Sequence, residues 1–196
     1  AIRDLESIKL QSTKLIFAGN RIAVLMELRT PNVSYGAQSF FYELKIFNSA
    51  GAVIFSVKKE SFIYPGEIKF ISETGLAVDA SLAARAAVEL SGFFWKPKVE
   101  FFLPKTQIRD IKSEFNAAAR KVTVTGFIAN QNPFNLTSAM IIGIILDSNG
   151  YPKFISETLI AALASFEEKA FAVIIPNVAD FNGAEESVKI YVSAQR

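Results

Sequence analysis

A few short groups of residues in this chain have types that can do chemistry. Ser56-Val57-Lys58-Lys59 has the spacing of a serine nucleophile beside a lysine base, an arrangement that needs both side chains on one face of a helix. The surrounding sequence predicts a strand instead, where side chains three residues apart point to opposite sides. The Ser-x-Asn and Lys-Thr-Gly partners of that chemistry are also missing from the sequence. We therefore expect no nucleophilic site here.

Acidic residues could serve as paired general acid and base or as metal ligands. Glu167-Glu168 and Glu185-Glu186 are adjacent in sequence, so within each pair the two side chains of a strand face away from each other. Asp147-Ser148-Asn149-Gly150 matches part of a calcium loop but lacks an acidic third ligand and a distal glutamate. We expect solvated acidic edges and a hairpin turn, with no metal site and no cofactor.

Composition excludes several classes of activity. The 196 residues contain neither cysteine nor histidine, which rules out disulfides, thiolate nucleophiles, zinc sites built on these residues and imidazole bases. A formal charge of +2 is too small for an electrostatic hold on nucleic acid, which we do not expect as a partner. The sequons at Asn32 and Asn135 are as frequent as composition alone would produce.

The chain ends suggest a compartment. The sequence begins at Ala1 without methionine and has no apolar run of the roughly 20 residues that span a bilayer. We expect a mature form or an excised ectodomain, extracytoplasmic, at the cell surface or in the periplasm. Membrane attachment would then depend on an anchor segment that is not in this sequence.

An internal repeat organises the chain, with an offset of about 100 residues. Residues 24–32 align with residues 124–132, since both stretches are alternating apolar runs that end in asparagine. Residues 44–51 align with residues 143–150, and both end in a turn that finishes with glycine. Residues 88–91 align with residues 188–191. The chain is thus predicted to contain one unit twice.

Each unit has the pattern of a small β-sandwich. Apolar residues alternate in the second strand at Ile22, Val24, Met26 and Leu28, which puts one face on a core. Strands of 6 to 10 residues separated by turn formers are typical of this architecture. Two stretches, Asp79–Leu90 and Glu157–Lys169, could also be drawn as helices; the repeat favours a strand at Val88–Leu90.

The connection between the units lies between Trp95 and Lys105. We place β-sandwich repeat 1 at residues 1–96 and β-sandwich repeat 2 at residues 97–196. The segment between Pro97 and Pro104 could form a strand that wedges the two units together through Val99, Phe101 and Leu103, or the edge strand of one sandwich.

One family resemblance rests on the third strand of each unit. Leu44-Lys45-Ile46-Phe47-Asn48 with Gly51, and Gly143-Ile144-Ile145-Leu146-Asp147 with Gly150, resemble the FxLYD motif of small immunoglobulin-like domains of prokaryotic envelope and surface proteins. Neither copy has phenylalanine in the first position, and Phe47 and Leu146 stand in the tyrosine position. The resemblance implies an all-β fold of two tandem immunoglobulin-like sandwiches, and it implies no activity.

Aromatic residues are the remaining candidates for a functional surface. Phe41 and Phe47 lie opposite the core-facing side of their strand, as Phe127 does in the second unit, so an intramolecular cover or a partner is required. With residues near the connection, the possible interaction surface comprises Phe41, Phe47, Phe127, Phe101, Phe102 and Trp95. We expect a non-enzymatic structural or interaction module that acts by protein–protein contact or self-association. The alternative is a glycan or cell-wall binding module that stacks sugars on Tyr35, Tyr64, Trp95 or Tyr151.

Overall fold

A computed structural model describes residues 5–183 and 185–196. All regular secondary-structure elements in that part of the chain are β-strands. The twelve strands are β1 Lys9–Ala18, β2 Arg21–Arg29, β3 Tyr35–Phe47, β4 Val53–Ile63, β5 Ile68–Glu73, β6 Arg85–Pro97, β7 Thr106–Asn116, β8 Lys121–Asn130, β9 Leu136–Leu146, β10 Pro152–Leu163, β11 Glu168–Pro176 and β12 Ser187–Gln195. The described residues include no helix of the length and apolarity needed to cross a membrane.

The chain divides into two compact units: residues up to 103 form the first, except residues 16–19, which are grouped with residues 104–196 in the second. In the first unit, one sheet has the order β1-β2-β5 and the other β4-β3-β6. The second unit repeats this as sheets of order β7-β8-β11 and β10-β9-β12. Because strand n of the first unit corresponds to strand n+6 of the second in every pairing, the internal repeat is confirmed.

Each unit buries the face that its alternating pattern predicts. In β2, Val24, Met26 and Leu28 have no exposed surface, and in β8 the same is true of Val122 and Val124. These side chains pack against core-facing residues of the opposite sheet, such as Leu44 in the first unit and Ile145 in the second. The two cores are separate clusters, one in each unit, as expected for a tandem of sandwiches.

The hairpin turn after the third strand is the same in both units. Asn48 Oδ1 accepts a hydrogen bond from the Ala52 amide at 2.9 Å, and Asp147 Oδ1 accepts one from the Tyr151 amide at 2.9 Å. The glycine that closes each turn has a positive φ, +83° at Gly51 and +80° at its counterpart. Only glycine adopts that backbone conformation without a steric cost. Asp147 therefore holds a turn, as the sequence predicted.

A second turn repeats after an interval of 100 residues. Glu67 Oε2 accepts a hydrogen bond from the Tyr64 amide at 2.7 Å, and Glu167 Oε2 accepts one from the Ala164 amide at 2.6 Å. Each carboxylate thus closes the turn that leads into β5 or β11. This gives Glu167, considered above as half of a catalytic pair, a structural role.

Matching asparagines hold the chain just before the first strand of each unit. Asn32 Oδ1 accepts from the Glu6 amide at 3.2 Å, while its Nδ2 donates to the Glu6 carbonyl at 2.6 Å. Asn132 makes the same two bonds with the backbone of Lys105, at 3.0 and 2.8 Å. The asparagine that ends each predicted second strand is therefore a structural residue, and the Asn32 sequon side chain is engaged in this pairing.

In the last strand of each unit, the equivalent residues defined by strand pairing differ by two positions from those predicted by the sequence repeat. Leu44 pairs with Val88, whereas its counterpart Gly143 pairs with Ile190. The structural offset there is thus 102 residues, and the predicted alignment of 88–91 with 188–191 is out of register by two. Because a shift of two residues leaves every side chain on the same face of the strand, the alternating sequence pattern did not reveal this change of register.

The ambiguous segments are also resolved. Residues 157–169 form the end of β10, a turn and the start of β11, so the helical interpretation is wrong there. The strand at Val88–Leu90 is confirmed as part of β6, which begins at Arg85 after a short turn at residues 80–82.

The segment between the two prolines is not a strand. Its residues follow the end of β6 at Pro97 as a turn, in which the amides of Glu100 and Phe101 both donate to the Pro97 carbonyl at 3.0 Å. The strand expected from Val99 to Leu103 is therefore wrong. In this turn the Phe101 ring stacks on Tyr64, with 4.3 Å between the ring centroids. This aromatic contact favours the turn over an extended strand.

These sheets define the class of fold. The chain is all-β and consists of two tandem immunoglobulin-like β-sandwiches related by an internal repeat. Each has six strands in two three-stranded sheets, in which the third strand is central to one sheet and the second strand to the other.

Candidate interaction surface

The outer face of β3 carries the first candidate surface. Strand alternation buries Phe40, Tyr42 and Leu44 in the core and turns Phe41 and Phe47 away from it. Phe41 is 39% exposed and Phe47 is half-buried. The predicted faces of this strand are therefore correct.

A cationic side chain accompanies each of the outward rings. The Lys58 ammonium lies 5.2 Å from the centroid of Phe41, and the Arg85 guanidinium lies 3.8 Å from that of Phe47. Both cations come from the neighbouring strands of the same sheet. Because aliphatic stems and cations cover ring faces well, the unit itself supplies part of the cover that these rings require.

Phe127 occupies the corresponding type of position on the outer face of β8. It is 37% exposed, and the Arg109 guanidinium lies 5.0 Å from its ring centroid. Next to it, β7 is bulged between Arg109 and Lys112, where Asp110 has a φ of +55°. A shallow concavity of about 720 Å³ lies at this bulge, and its lining includes Ile111, Phe127 and residues 170–172 of β11.

An ion pair borders this concavity. Arg109 Nε donates to Glu168 Oε2 at 2.6 Å, and the same guanidinium also binds Glu168 Oε1 and Asp110. The hydrogen bond from Arg109 lowers the pKa of Glu168, and the same bond raises the pKa of Arg109. Glu168 is thus held ionised by a structural partner rather than poised for proton transfer.

The aromatic residues near the connection pack inside the first unit. Trp95 is half-buried against the core cluster, with its ring centroid 5.7 Å from that of Phe93. Phe101 stacks on Tyr64 and meets Phe62 edge-on at 6.4 Å, and Phe102 is half-buried. These three candidates and the outward phenylalanines of β3 therefore have different environments.

The tyrosines considered for sugar stacking also differ in exposure. Tyr64 is only 1% exposed, so this ring is not available to a ligand and that part of the prediction is wrong. Tyr35 is half-buried on β3, and Tyr151 is 64% exposed beside the hairpin turn.

The residues considered for catalysis either lie on different faces of their strand or form hydrogen bonds and ion pairs with other residues. Ser56 and Lys59 lie on β4, where Ser56 Oγ donates to Glu43 at 3.3 Å and Lys59 Nζ donates to Glu73 at 2.7 Å. The two side chains thus meet partners on different faces of the strand, as predicted. Glu186 binds Lys153 and accepts a hydrogen bond from the Asn182 amide at 3.0 Å.

Acidic side chains gather around a small pocket of about 210 Å³ in the second unit. It is lined by polar residues that include Asp147, Asp180, Glu186 and Lys153. The hydrogen bond to Glu186 raises the pKa of Lys153, so a cation already occupies this group of carboxylates. In the part of the chain that the structure describes, no group of three or more acidic residues is arranged to hold a metal ion.

A buried polar cluster in the first unit was not anticipated from the sequence. The Tyr42 hydroxyl, on β3, donates to Glu73 Oε1 at 2.5 Å, and Lys59 donates to the other oxygen of this carboxylate. Tyr42 and Glu73 are each 4% exposed and belong to opposite sheets. The only signal in the sequence was the position of Tyr42 on the core-facing side of its strand, where a hydroxyl requires an acceptor.

Lys69 is a second buried polar group in the core-facing register of β5. It is 5% exposed, and its ammonium lies 3.3 Å from the centroid of Phe62. Burial lowers the pKa of Lys69 from 10.5 to about 8, against the opposing effect of Glu67. Burial likewise raises the pKa of Glu67. Both shifts have the direction expected when water is removed from a charge.

Comparison with known proteins adds no family. No family model matches the sequence, and no curated protein matches it. Among solved structures, a β-glucuronidase of glycoside hydrolase family 2 is similar at 11% identity and a TM-score of 0.28, over 89% of this chain and 24% of that one. Red sea bream transglutaminase is similar at 12% identity and a TM-score of 0.27, over 98% of this chain and 30% of that one. The chain thus spans less than a third of either structure's length, and likeness at this level carries no argument about function.

Proposed function

We propose that this chain is a non-enzymatic structural or interaction module of an extracytoplasmic protein, which acts by protein–protein contact or self-assembly. The observation that supports this most strongly is the engagement of its reactive side chains. Glu73, Glu167, Glu168 and Glu186 all hold a turn, a strand or a buried hydroxyl through hydrogen bonds. Groups fixed in this way stabilise a scaffold and leave little chemistry for a substrate.

The outward rings of the first unit support a role in contact. Phe41 lies beside β6 and is 39% exposed on a sheet face rather than in a loop. Aromatic residues are enriched at the buried centres of protein interfaces. We assign the chain to FxLYD-like envelope domains on the same proposal, since residues 44–51 and 143–150 form equivalent turns.

Light scattering over a concentration series tests this function directly. We expect the mass to rise above that of the 21.5 kDa monomer as the concentration increases. A monomer at every concentration, together with binding to insoluble cell-wall glycan that is lost in Tyr151→Ala, would contradict the proposal and favour the glycan-binding alternative. Loss of self-association in Phe41→Ser, with the far-ultraviolet circular dichroism unchanged, would assign the contact to the outer face of β3, whereas its retention would assign the contact to another surface of the chain.

A further inference from the structure

Strand β6 is an edge strand of the first unit. It pairs with β3 from Arg85 opposite Phe47 to Pro97 opposite Tyr35, and no other strand in the described part of the chain pairs with its second edge. In immunoglobulin sandwiches with seven strands, a further strand occupies that edge. Along such an edge, the backbone amide and carbonyl groups of every second residue point outward.

The first half of this edge lacks the features that usually block strand addition. From Arg85 to Ser91 its register with β3 is continuous, and it contains no proline. Irregularity begins only at Gly92, which has a φ of +66°. By contrast, the opposite edge of the sheet, β4, carries three consecutive charged residues at positions 58–60, a common protection against pairing.

The core-facing side chains of this half are incompletely covered. Ala86 and Val88 pack against the core but remain half-buried. Their neighbours on β3, Ile46 and Leu44, are completely buried. A strand added beside β6 would extend the sheet over the core and bury these side chains as fully as those of β3.

The outer face of the same half carries a row of charges in which two carboxylates are neighbours. Lys58, Glu43 and Glu89 lie side by side across the three strands, so the two carboxylates face each other. Lys45 lies near both, at 3.4 Å from Glu43 and 3.6 Å from Glu89. The Glu89 side chain is 73% exposed. A partner strand that places a cation opposite Glu89 would therefore add a favourable cross-strand ion pair.

We propose that the partner is β6 of a second copy of this chain, paired antiparallel and centred on Ala87. This register places Arg85 opposite Glu89 of the second copy twice, and Ala86 opposite Val88 twice. Core-facing residues then meet core-facing residues, and the two strands are related by a two-fold axis. The inference rests on the proposed function and names the edge and the partner through which it would operate.

The absence of cysteine from the chain makes this register directly measurable. In Ala87→Cys, the two introduced thiols lie opposite each other at a separation that a disulfide accepts, about 4.4–6.8 Å between Cα atoms. We expect mild oxidation to produce a covalent dimer. The matched control is Ser91→Cys on the same strand, because its two thiols would be roughly 26 Å apart in this register, at about 3.3 Å per residue.

The expected result is at least about tenfold more covalent dimer with Ala87→Cys than with Ser91→Cys at equal concentration, given the narrow distance range of a disulfide. Equal or negligible crosslinking of both variants would overturn the proposal. Fluorescence of Trp95, the only tryptophan, reports in each variant whether the first unit is folded.

A charge exchange tests the pairing without a crosslink. Glu89→Arg alone places arginine opposite Arg85, and we expect roughly tenfold weaker dimerisation from the change of sign in both pairs. The double variant Arg85→Glu with Glu89→Arg restores opposite charges across the axis and should recover the affinity of the original protein. Failure of that recovery would overturn the register.

The two tests separate failure of this edge from failure of the proposed function. Oligomers in light scattering without Ala87→Cys crosslinking would overturn the β6 pairing and leave self-assembly standing through another surface. A monomer at every concentration with no crosslinking would overturn both.

Discussion

The buried cluster of Tyr42 and Glu73 gives the sharpest test of how the first unit is held together. The Tyr42 hydroxyl donates to a carboxylate that is 4% exposed, across the space between the two sheets. Tyr42→Phe removes only this hydroxyl. Because hydrogen bonds to charged groups contribute about 1.5–3 kcal/mol, we expect the free energy of unfolding of the first unit to fall by about 2 kcal/mol.

The second unit shows what an apolar version of this cluster looks like. The positions equivalent to Tyr42 and Glu73 hold Ile141 and Val173, both completely buried. In a Glu73→Val background the tyrosine hydroxyl has lost this acceptor, so Tyr42→Phe should then be neutral or stabilising. The two substitutions should therefore be coupled by at least about 2 kcal/mol, within the range known for residues in direct contact.

Urea unfolding followed by Trp95 fluorescence measures this cycle in the correct unit, since that tryptophan packs against the core of the first unit. Tyr35→Phe is the control, because this half-buried tyrosine lies on the same strand as Tyr42. Its loss of a hydroxyl should change the unfolding free energy by less than about 0.5 kcal/mol, as surface substitutions usually do. A coupling energy below about 0.5 kcal/mol between Tyr42 and Glu73 would refute the reasoning, since that is the level at which independent sites add.

Three further predictions concern single positions. Burial lowers the pKa of Lys69 to about 8, so between pH 8 and 10.5 the unfolded chain holds a proton that the folded unit has released. Raising the pH through this window should therefore stabilise the first unit by up to about 1.4 kcal/mol per pH unit, and Lys69→Met should abolish the slope in urea titrations at several pH values. Phe166 has a φ of +56° at the turn position that Gly66 occupies in the first unit, and its ring is 70% exposed. Phe166→Gly should stabilise the second unit by about 1 kcal/mol in scanning calorimetry, and a destabilisation would show that the ring packs against something. Asn132→Ala removes two hydrogen bonds to the Lys105 backbone and should lower the free energy of unfolding of the second unit by about 2 kcal/mol. An unchanged midpoint of urea unfolding would show that these two hydrogen bonds do not stabilise the unit.

The sequence predicted the parts of the fold that depend on local pattern. Period-two alternation in β2 and β3 identified the buried faces, and the Asn48 and Asp147 turns revealed the repeat because both need glycine at their last position. The segment from Val99 to Leu103 was misread for a physical reason. Its alternating pattern is typical of a strand, but the Phe101 ring stacks on Tyr64. This contact between two aromatic rings outweighs the strand preference of so short a pattern.

The buried polar groups were beyond prediction from one sequence, because their partners are distant along the chain. Glu73 lies 31 residues from Tyr42 and 14 from Lys59, and nothing in its neighbourhood marks it as core-facing except a six-residue strand. A similar limit applied to the outward phenylalanines, since the cations that cover Phe41 and Phe47 come from adjacent strands whose register was unknown.

The comparison of the two units bears on why the first one retains charges in its core. The second unit fills the equivalent positions with isoleucine and valine and is just as completely buried, so the polar cluster is not a requirement of the fold. Replacing a buried ion pair by apolar residues is often neutral or stabilising, and the cluster is therefore weak support for stability. We expect the cluster to favour one register of the two sheets, because the hydrogen bond between Glu73 and the Tyr42 hydroxyl requires these two side chains to lie opposite each other. A fixed alignment also fixes the direction of the β6 edge, since β6 pairs with the strand that carries Tyr42.

If β6 pairs with a second copy as proposed, the double variant Tyr42→Phe with Glu73→Val should keep its unfolding free energy and dimerise more weakly. A dimer of unchanged affinity would show that the cluster has no such role.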